Sequence, residues 1–241
     1  MTSLQQIITY FAAWAPPSLA ANWDRVGLQI GDPSAPISRI HLSLDVDLAV
    51  LNHIQHHPTD LVITHHPIFF KPLTVLNTHT GRGKLIQTFL HTSTHLFSMH
   101  TNLDAAIGGV NDAFMSLFGF SRDNGHPIEG EFGCYFKLNR PYSIDTLTAV
   151  KPCRVVGYPH QHVSKIGFLA GSGHGLMPAV KALGLDCFIT GELSYHDEID
   201  CELNHITGIV LGHHASEVPI LPHIKTRLLD LDPELDISIA L

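Results

Sequence analysis

Cysteine is scarce in this chain, and its cysteines form no paired motif. The four residues Cys134, Cys153, Cys187 and Cys201 are widely spaced in 241 residues, with no CxxC pair among them. This spacing argues against a thiolate zinc site and against a disulfide framework. We therefore expect reduced thiols in a cytoplasmic protein.

Basic residues are also few. The chain has 14 Lys and Arg against 22 Asp and Glu, giving a formal net charge of -8, whereas nucleic-acid binders normally carry a basic face. The first residues lack the basic start and apolar core of a signal peptide, and no stretch approaches the roughly 18 apolar residues that span a bilayer. The sequence predicts a soluble protein without a membrane or nucleic-acid partner.

What is present is an ordinary globular composition with 44% hydrophobic residues, in a chain long enough for one large or two small domains. Strand patterns alternate with helical patterns, which is typical of α/β architecture. We predict strands at 40–44, 61–64, 95–100 and 206–211, and helices at 3–15, 48–57, 85–90 and from 216 onward, with Pro219 in a first turn and Pro222 at a kink.

A polar, turn-rich segment at 121–127 indicates a domain boundary. We predict a two-domain α/β fold, with a parallel or mixed sheet covered by helices and a smaller α/β domain inserted in the middle. The outer domain would comprise residues 1–125 and 205–241 and would carry the functional site. The inserted domain would comprise residues 126–204.

Histidine is abundant, with 19 residues. Random placement would produce roughly 1.4 adjacent pairs, against three observed at 56/57, 65/66 and 213/214, so a pair alone proves little. The three pairs differ in where they fall relative to the predicted strands and helices. The pair 56/57 falls at a predicted helix end, where histidines favourably face the helix dipole.

Three polar clusters follow predicted strands. These are His65 with His66, then His100 with Asp104, then His213 with Glu217. Ligand sites form beyond the carboxyl ends of parallel strands, and imidazoles with carboxylates suit a polynuclear metal site. We therefore expect the clusters to converge on one sheet edge. The alternatives are that Asp104 caps a helix and that Glu217 is a charge in a first helical turn.

A glycine-rich segment at 171–175 (GSGHG) follows a predicted strand and precedes a helical pattern. Such a turn can present backbone N–H groups to phosphate, but it lacks the lysine and Ser/Thr ending of a P-loop. A tight turn requiring positive φ is the favoured interpretation.

Taken together, the motifs resemble those of the Ngg-interacting-factor-like family, also called YbgI-like dinuclear metal-centre proteins. Some members of that family are labelled GTP cyclohydrolase type 2. The matching segments are 22–28 (NWDRVGL), 64–67 (THHP), 100–104 (HTNLD), 189–192 (ITGE) and 212–217 (GHHASE).

The resemblance implies a toroidal homohexamer with two divalent metal ions per chain, which would be Zn, Fe, Mn or Ni. The implied metal ligands are His65, His66, Asp104, His213 and Glu217. His100 would orient a ligand or move a proton, as a catalytic residue.

The resemblance also implies roles for neighbouring residues. Trp23 and Asp24 would buttress the site, and Glu192 with His196 would face the same cavity. His214 stands where the family often has tyrosine, so its place beside His213 would be incidental.

The function implied is a metal-dependent hydrolase, GTP cyclohydrolase-like, in which metal-bound hydroxide attacks a small-molecule substrate such as a nucleotide. Two alternatives stay open. One is a phosphatase or phosphodiesterase, because two-metal sites also serve phosphoryl displacement. The other is a non-catalytic protein that binds metal or a partner.

Overall fold

The computed structural model describes residues 2–128 and 132–240. The helices are α1 (Leu4–Trp14), α2 (Leu48–His56), α3 (Gly81–Thr92), α4 (Thr101–Ala105), α5 (Val110–Ser116), α6 (Ile144–Thr148), α7 (Met177–Leu183), α8 (Tyr195–Leu203), α9 (His213–Glu217) and α10 (Ile220–Leu231). The strands are β1 (Thr2–Ser3), β2 (Gly27–Ile30), β3 (Pro36–Ile37), β4 (Arg39–Ser43), β5 (Leu61–Thr64), β6 (His95–Ser98), β7 (His126–Pro127), β8 (Cys134–Ser143), β9 (Arg154–Gly157), β10 (His162–Ser172), β11 (Cys187–Glu192), β12 (Thr207–Val210) and β13 (Asp236–Ile239). The predicted α/β class is confirmed.

The chain divides into two compact units. The first comprises residues 1–107 and 221–241, and the second comprises residues 108–220. The boundaries predicted from the sequence, 1–125 with 205–241 around 126–204, differ from this division. The difference arises because α5 packs on β10 and because β12 pairs with β11, so both flanking segments join the second unit.

A five-stranded sheet forms the centre of the first unit, in the order β13-β4-β5-β6-β2. The strands β13, β4, β5 and β6 run parallel, while β2 pairs antiparallel with β6. All four residues of β5 are buried, as expected for an apolar strand inside a parallel sheet. The predicted strands at 40–44, 61–64 and 95–100 are confirmed as β4, β5 and β6.

Helices α1 and α2 of the first unit begin where the sequence supplies capping side chains. Ser3 and Gln6 form a capping box at the start of α1, whose residues Leu4, Ile7 and Phe11 are buried. The Asp47 side chain accepts the Val50 N–H at the start of α2.

A separate six-stranded mixed sheet forms the second unit, in the order β7-β8-β10-β11-β12-β9. The strands β10, β11 and β12 are parallel, and aromatic side chains such as Phe114 and Phe168 pack in its core. The strand predicted at 206–211 is therefore confirmed as β12, but it belongs to this sheet. The expectation that all three polar clusters lie at one sheet edge is wrong.

The helix predicted from Ser216 onward is divided in two. Pro219 lies between α9 and α10, because it has no N–H to continue the hydrogen-bond ladder of α9. Pro222 falls in the first turn of α10, where a missing N–H costs nothing, so it does not produce the predicted kink. Among the described residues, no helix has the length and apolar character needed to cross a membrane.

Candidate metal centre

The carboxyl ends of three neighbouring parallel strands place polar side chains together in the first unit. Asp45 follows β4, His65 and His66 follow β5, and His100 follows β6. The strands are in register, with Ser43 beside Thr64 and Thr64 beside Ser98. This edge is where open parallel sheets build ligand sites.

His65 is the most constrained side chain of this edge. It is fully buried, and its Nδ1 lies 2.8 Å from the carbonyl oxygen of Met99. Because a carbonyl only accepts, Nδ1 carries the proton and Nε2 keeps its lone pair. That Nε2 lies 3.5 Å from Asp104 Oδ1, on α4. The ring is oriented as a metal-binding imidazole would be.

Two more imidazoles lie beside it. The Nδ1 atom of His66 is 3.0 Å from Asp45 Oδ1, and the Nδ1 atom of His100 is 2.9 Å from Asp24 Oδ2. His65, His66 and His100, called the strand-end cluster below, each offer a ligand atom within 4.8 Å of the others. The sequence assigned His100 a proton-moving role, and the structure also makes it a potential ligand.

Asp24 is buried, and its carboxylate accepts hydrogen bonds from the first residue of α4. Its Oδ2 accepts the Thr101 N–H at 3.0 Å and the Thr101 hydroxyl at 2.5 Å. Burial alone would raise the pKa of Asp24, but hydrogen bonds from His100 and Thr101 outweigh it and hold that pKa well below its usual range. Trp23 packs its edge against the His100 ring at 5.9 Å. Both residues contact His100, the arrangement expected of side chains that support a site.

A second cluster lies in the second unit, beyond the carboxyl end of β12. His213 and Glu217 are one turn apart on α9, with His213 Nε2 3.1 Å from Glu217 Oε1. The other ring nitrogen lies 3.2 Å from Glu192 Oε2, at the end of β11. The hydrogen bond to Glu217, assisted by Glu192, raises the pKa of His213 to about 9 against the opposing effect of burial. We call these three residues the α9 cluster.

The glycine-rich segment serves the α9 cluster. Gly171, in β10, has φ +68°, and a Cβ there would lie 2.3 Å from Glu217 Oε1. Its N–H donates to Ser216 Oγ at 2.8 Å. The expected positive φ is present at Gly171 and Gly175. The close approach to a carboxylate was missed, because a glycine turn has the same sequence pattern whether or not a side chain packs on it.

The remaining histidine pairs have other surroundings. His214 is exposed on α9, whereas Glu217 on the same helix is buried. His56 and His57 bond through Nδ1 to the carbonyl oxygens of Asn52 and His53, at the carboxyl end of α2. The prediction that 56/57 is a helix-end pair is confirmed.

Comparison with known proteins decides the family. The model of the Duf34/NIF3 (NGG1p interacting factor 3) family matches residues 2–240. The chain belongs to the Duf34/NIF3 family. The predicted resemblance is thus confirmed over nearly the whole chain.

Relatives of this NIF3-family chain occur in bacteria and animals. It is 30% identical to the GTP cyclohydrolase 1 type 2 homolog of Clostridium perfringens, covering 98% of this chain and 95% of that protein. It is 29% identical to NIF3-like protein 1 of Drosophila melanogaster, covering 89% and 77%. Reduced HcgD from Methanocaldococcus jannaschii matches with a TM-score of 0.86 and 26% identity, over 99% of this chain and 97% of HcgD.

The donor chemistry of this NIF3-family chain fits divalent transition metals. The strand-end cluster with its neighbour Asp104, and the α9 cluster, offer imidazole nitrogens and carboxylate oxygens, which are donor types that hold such metals. Thiolates do not contribute: all four cysteines are free and lie in the second unit, and burial raises the pKa of Cys201 to about 12. Among the described residues, the metal-capable groups are therefore those of His, Asp and Glu.

Proposed function

We propose that this chain is a metal-dependent hydrolase of the GTP cyclohydrolase type, with two divalent ions held by His65, His66, Asp104, His213 and Glu217. The observation that carries the proposal is the strand-end cluster. Its three imidazoles offer ligand nitrogens within 4.8 Å of one another. The Nδ1 atom of each ring lies within hydrogen-bond distance of an oxygen atom. Such partners fix the ring orientation and raise ligand basicity, as around established metal-binding histidines.

The two clusters offer different donor sets. In the first unit, His65 Nε2 points towards Asp104 Oδ1, so one nitrogen and one oxygen face the same point. In the second unit, His213 Nε2 and Glu217 Oε1 are 3.1 Å apart and share a proton favoured by the raised pKa of His213. A divalent cation would replace that proton and use the same two atoms. Metal binding at this pair would therefore release a proton.

Two bound ions would polarise a carbonyl or phosphoryl oxygen and lower the pKa of water. The chain's own contribution is proton handling by His100. Its Nδ1 faces ionised Asp24, which leaves Nε2 to accept or return a proton at the substrate. The names of relatives support a nucleotide substrate, since several are called GTP cyclohydrolase 1 type 2 homologs.

The test uses the full chain reconstituted separately with Zn, Fe, Mn and Ni, and incubated with GTP and with a bis-aryl phosphodiester. We expect formate release from GTP, abolished by Glu217→Gln and retained in Glu202→Gln, which changes an exposed glutamate on α8. Phosphate or arylate release without formate would select the phosphatase alternative. No turnover with any metal would leave the non-catalytic alternative and overturn the enzyme proposal.

We also propose the homohexamer implied by the family. Light scattering of the purified chain should give about six times the 26.5 kDa chain mass. A monomer that keeps its metal would contradict the assembly without contradicting the metal centre.

A further inference from the structure

A cavity of about 310 Å³ lies in the first unit. It lies between the segment that opens β2 and the loop that follows β5, and its lining includes Arg25, Leu28, Gln29, Phe69 and Lys71. The volume is near the lower end of the range for small-molecule pockets, roughly 300 to 1,000 Å³. The cavity is large enough for part of a metabolite.

The charge of the lining is opposite to that of the whole chain. Arg25 and Lys71 contribute two positive charges, and no Asp or Glu lines the cavity, although the chain has a net charge of -8. Within residues 2–128 and 132–240, neither cation forms a salt bridge. Two cations without a carboxylate in an acidic protein favour an anionic occupant.

Short contacts connect this cavity to the strand-end cluster. The Arg25 N–H donates to Asp24 Oδ1 at 2.8 Å, and the other oxygen of Asp24 faces His100. On the other wall, Phe69 is followed by Phe70, whose ring meets the His100 ring edge-on at 5.8 Å. A ligand in the cavity would therefore lie beside the residue proposed to move the proton.

We propose that this cavity is an anion subsite for the substrate. Arg25 and Lys71 bind a phosphate or carboxylate group of that molecule. The subsite rests on the proposed function in that its ligand is the molecule on which the metal centre acts. Binding itself requires no metal.

The experiment is isothermal titration of the EDTA-treated full chain with guanosine 5′-monophosphate, guanosine, inorganic phosphate and malate. We expect the monophosphate to bind at least about tenfold more tightly than guanosine, since only the monophosphate carries an anionic group. Tighter binding of malate would assign the site to carboxylates. The double variant R25A/K71A should lose about tenfold or more in affinity for the monophosphate.

The matched control is R82A/K84A, which removes the same two charges from α3 of the same unit. Equal monophosphate affinity in both double variants, or no binding to the parent chain, would overturn the subsite. The single variant Lys71→Ala changes a residue in an exposed loop, so a loss of affinity in it does not arise from misfolding at Arg25. His65→Ala separates the two proposals: it should lose metal and keep monophosphate binding. Binding without turnover would overturn only the enzyme proposal.

Discussion

Two groups of histidines in the first unit have the same residue type and different surroundings. In the strand-end cluster the rings of His65 and His66 are tilted by 56°, with centroids 4.8 Å apart. In the second group, His41 stacks on His53 at 4.0 Å and 19°, and His53 on His57 at 4.6 Å and 20°. We call His41, His53 and His57 the histidine stack.

The partners of the ring nitrogens separate the two groups. In the strand-end cluster, His66 and His100 face Asp45 and Asp24. In the stack, His41 Nδ1 lies 2.8 Å from the Ser238 hydroxyl, and His57 bonds a backbone carbonyl. Carboxylates near imidazoles, together with converging nitrogens, distinguish a metal-capable group from rings packed by their faces.

The electrostatics of the stack follow from this packing. Burial, followed by the neighbouring His53, lowers the pKa of His41 to about 4, and Asp47 only partly opposes them. Burial and His57 lower the pKa of His53 as well. At neutral pH the rings of His41 and His53 are therefore neutral.

The largest expected effect is on metal content, which should differ between a variant of the strand-end cluster and a variant of the histidine stack. His65→Ala removes the buried nitrogen that faces Asp104, so we expect most of the metal at that position to be lost from about two ions per chain. Elemental analysis after dialysis measures this. His53→Ala in the stack should leave the metal content unchanged. Loss of metal in both variants would show that the comparison is mistaken, and unchanged content in His65→Ala would remove His65 from the ligand set.

The next effect is the pH dependence of stability, which we expect to come from His41 in the histidine stack. His41 has a folded pKa of about 4 against about 6.5 when unfolded, so protons bind the unfolded chain more readily between these values. Stability is complete above pH 6.5 and falls as pH decreases towards 4, by on the order of 3 kcal/mol at most from this residue. Urea unfolding between pH 6.5 and 4, with EDTA present, measures this change in the free energy of unfolding.

His41→Leu should remove that part of the pH dependence, because leucine does not titrate. The exposed His223→Leu on α10 is the matched control and should retain the parent slope. If the slope between pH 6.5 and 4 is the same in all three proteins, His41 is not held neutral by its surroundings.

A smaller effect on metal affinity is expected when the carboxylate that faces a histidine of the strand-end cluster is removed. Asp45→Asn keeps the size of the side chain that faces His66 Nδ1 but removes its charge. We expect about a tenfold loss in metal affinity, the lower end of what such partners contribute, since this carboxylate is exposed. Competition with a chromogenic chelator gives the affinity, with exposed Asp230→Asn as the control. Equal affinities would mean that the Asp45 contact does not tune the ligand.

Local signals in the sequence explain which features were predictable. The strand Leu61–Thr64 and the histidines after it were predicted because a short apolar run ends abruptly in polar residues. The partner sheet of β12 was not predictable, since a buried parallel strand has the same apolar pattern in either sheet. Asp45 was missed because its contact with His66 spans 21 positions of sequence.

The smallest effect is expected at the pair that most resembles 65/66 in sequence. His56 donates from the last turn of α2 to the carbonyl oxygen of Asn52, an exposed interaction with the helix end. His56→Ala should leave metal content unchanged and shift the unfolding free energy by no more than about 0.5 kcal/mol. A metal loss comparable to that of His65→Ala would mean that adjacency of two histidines, rather than the strand end and its carboxylates, determines binding. Elemental analysis and urea unfolding of the same preparation decide between the two, because a ligand loss lowers the metal content without requiring a change in the stability of the EDTA-treated chain.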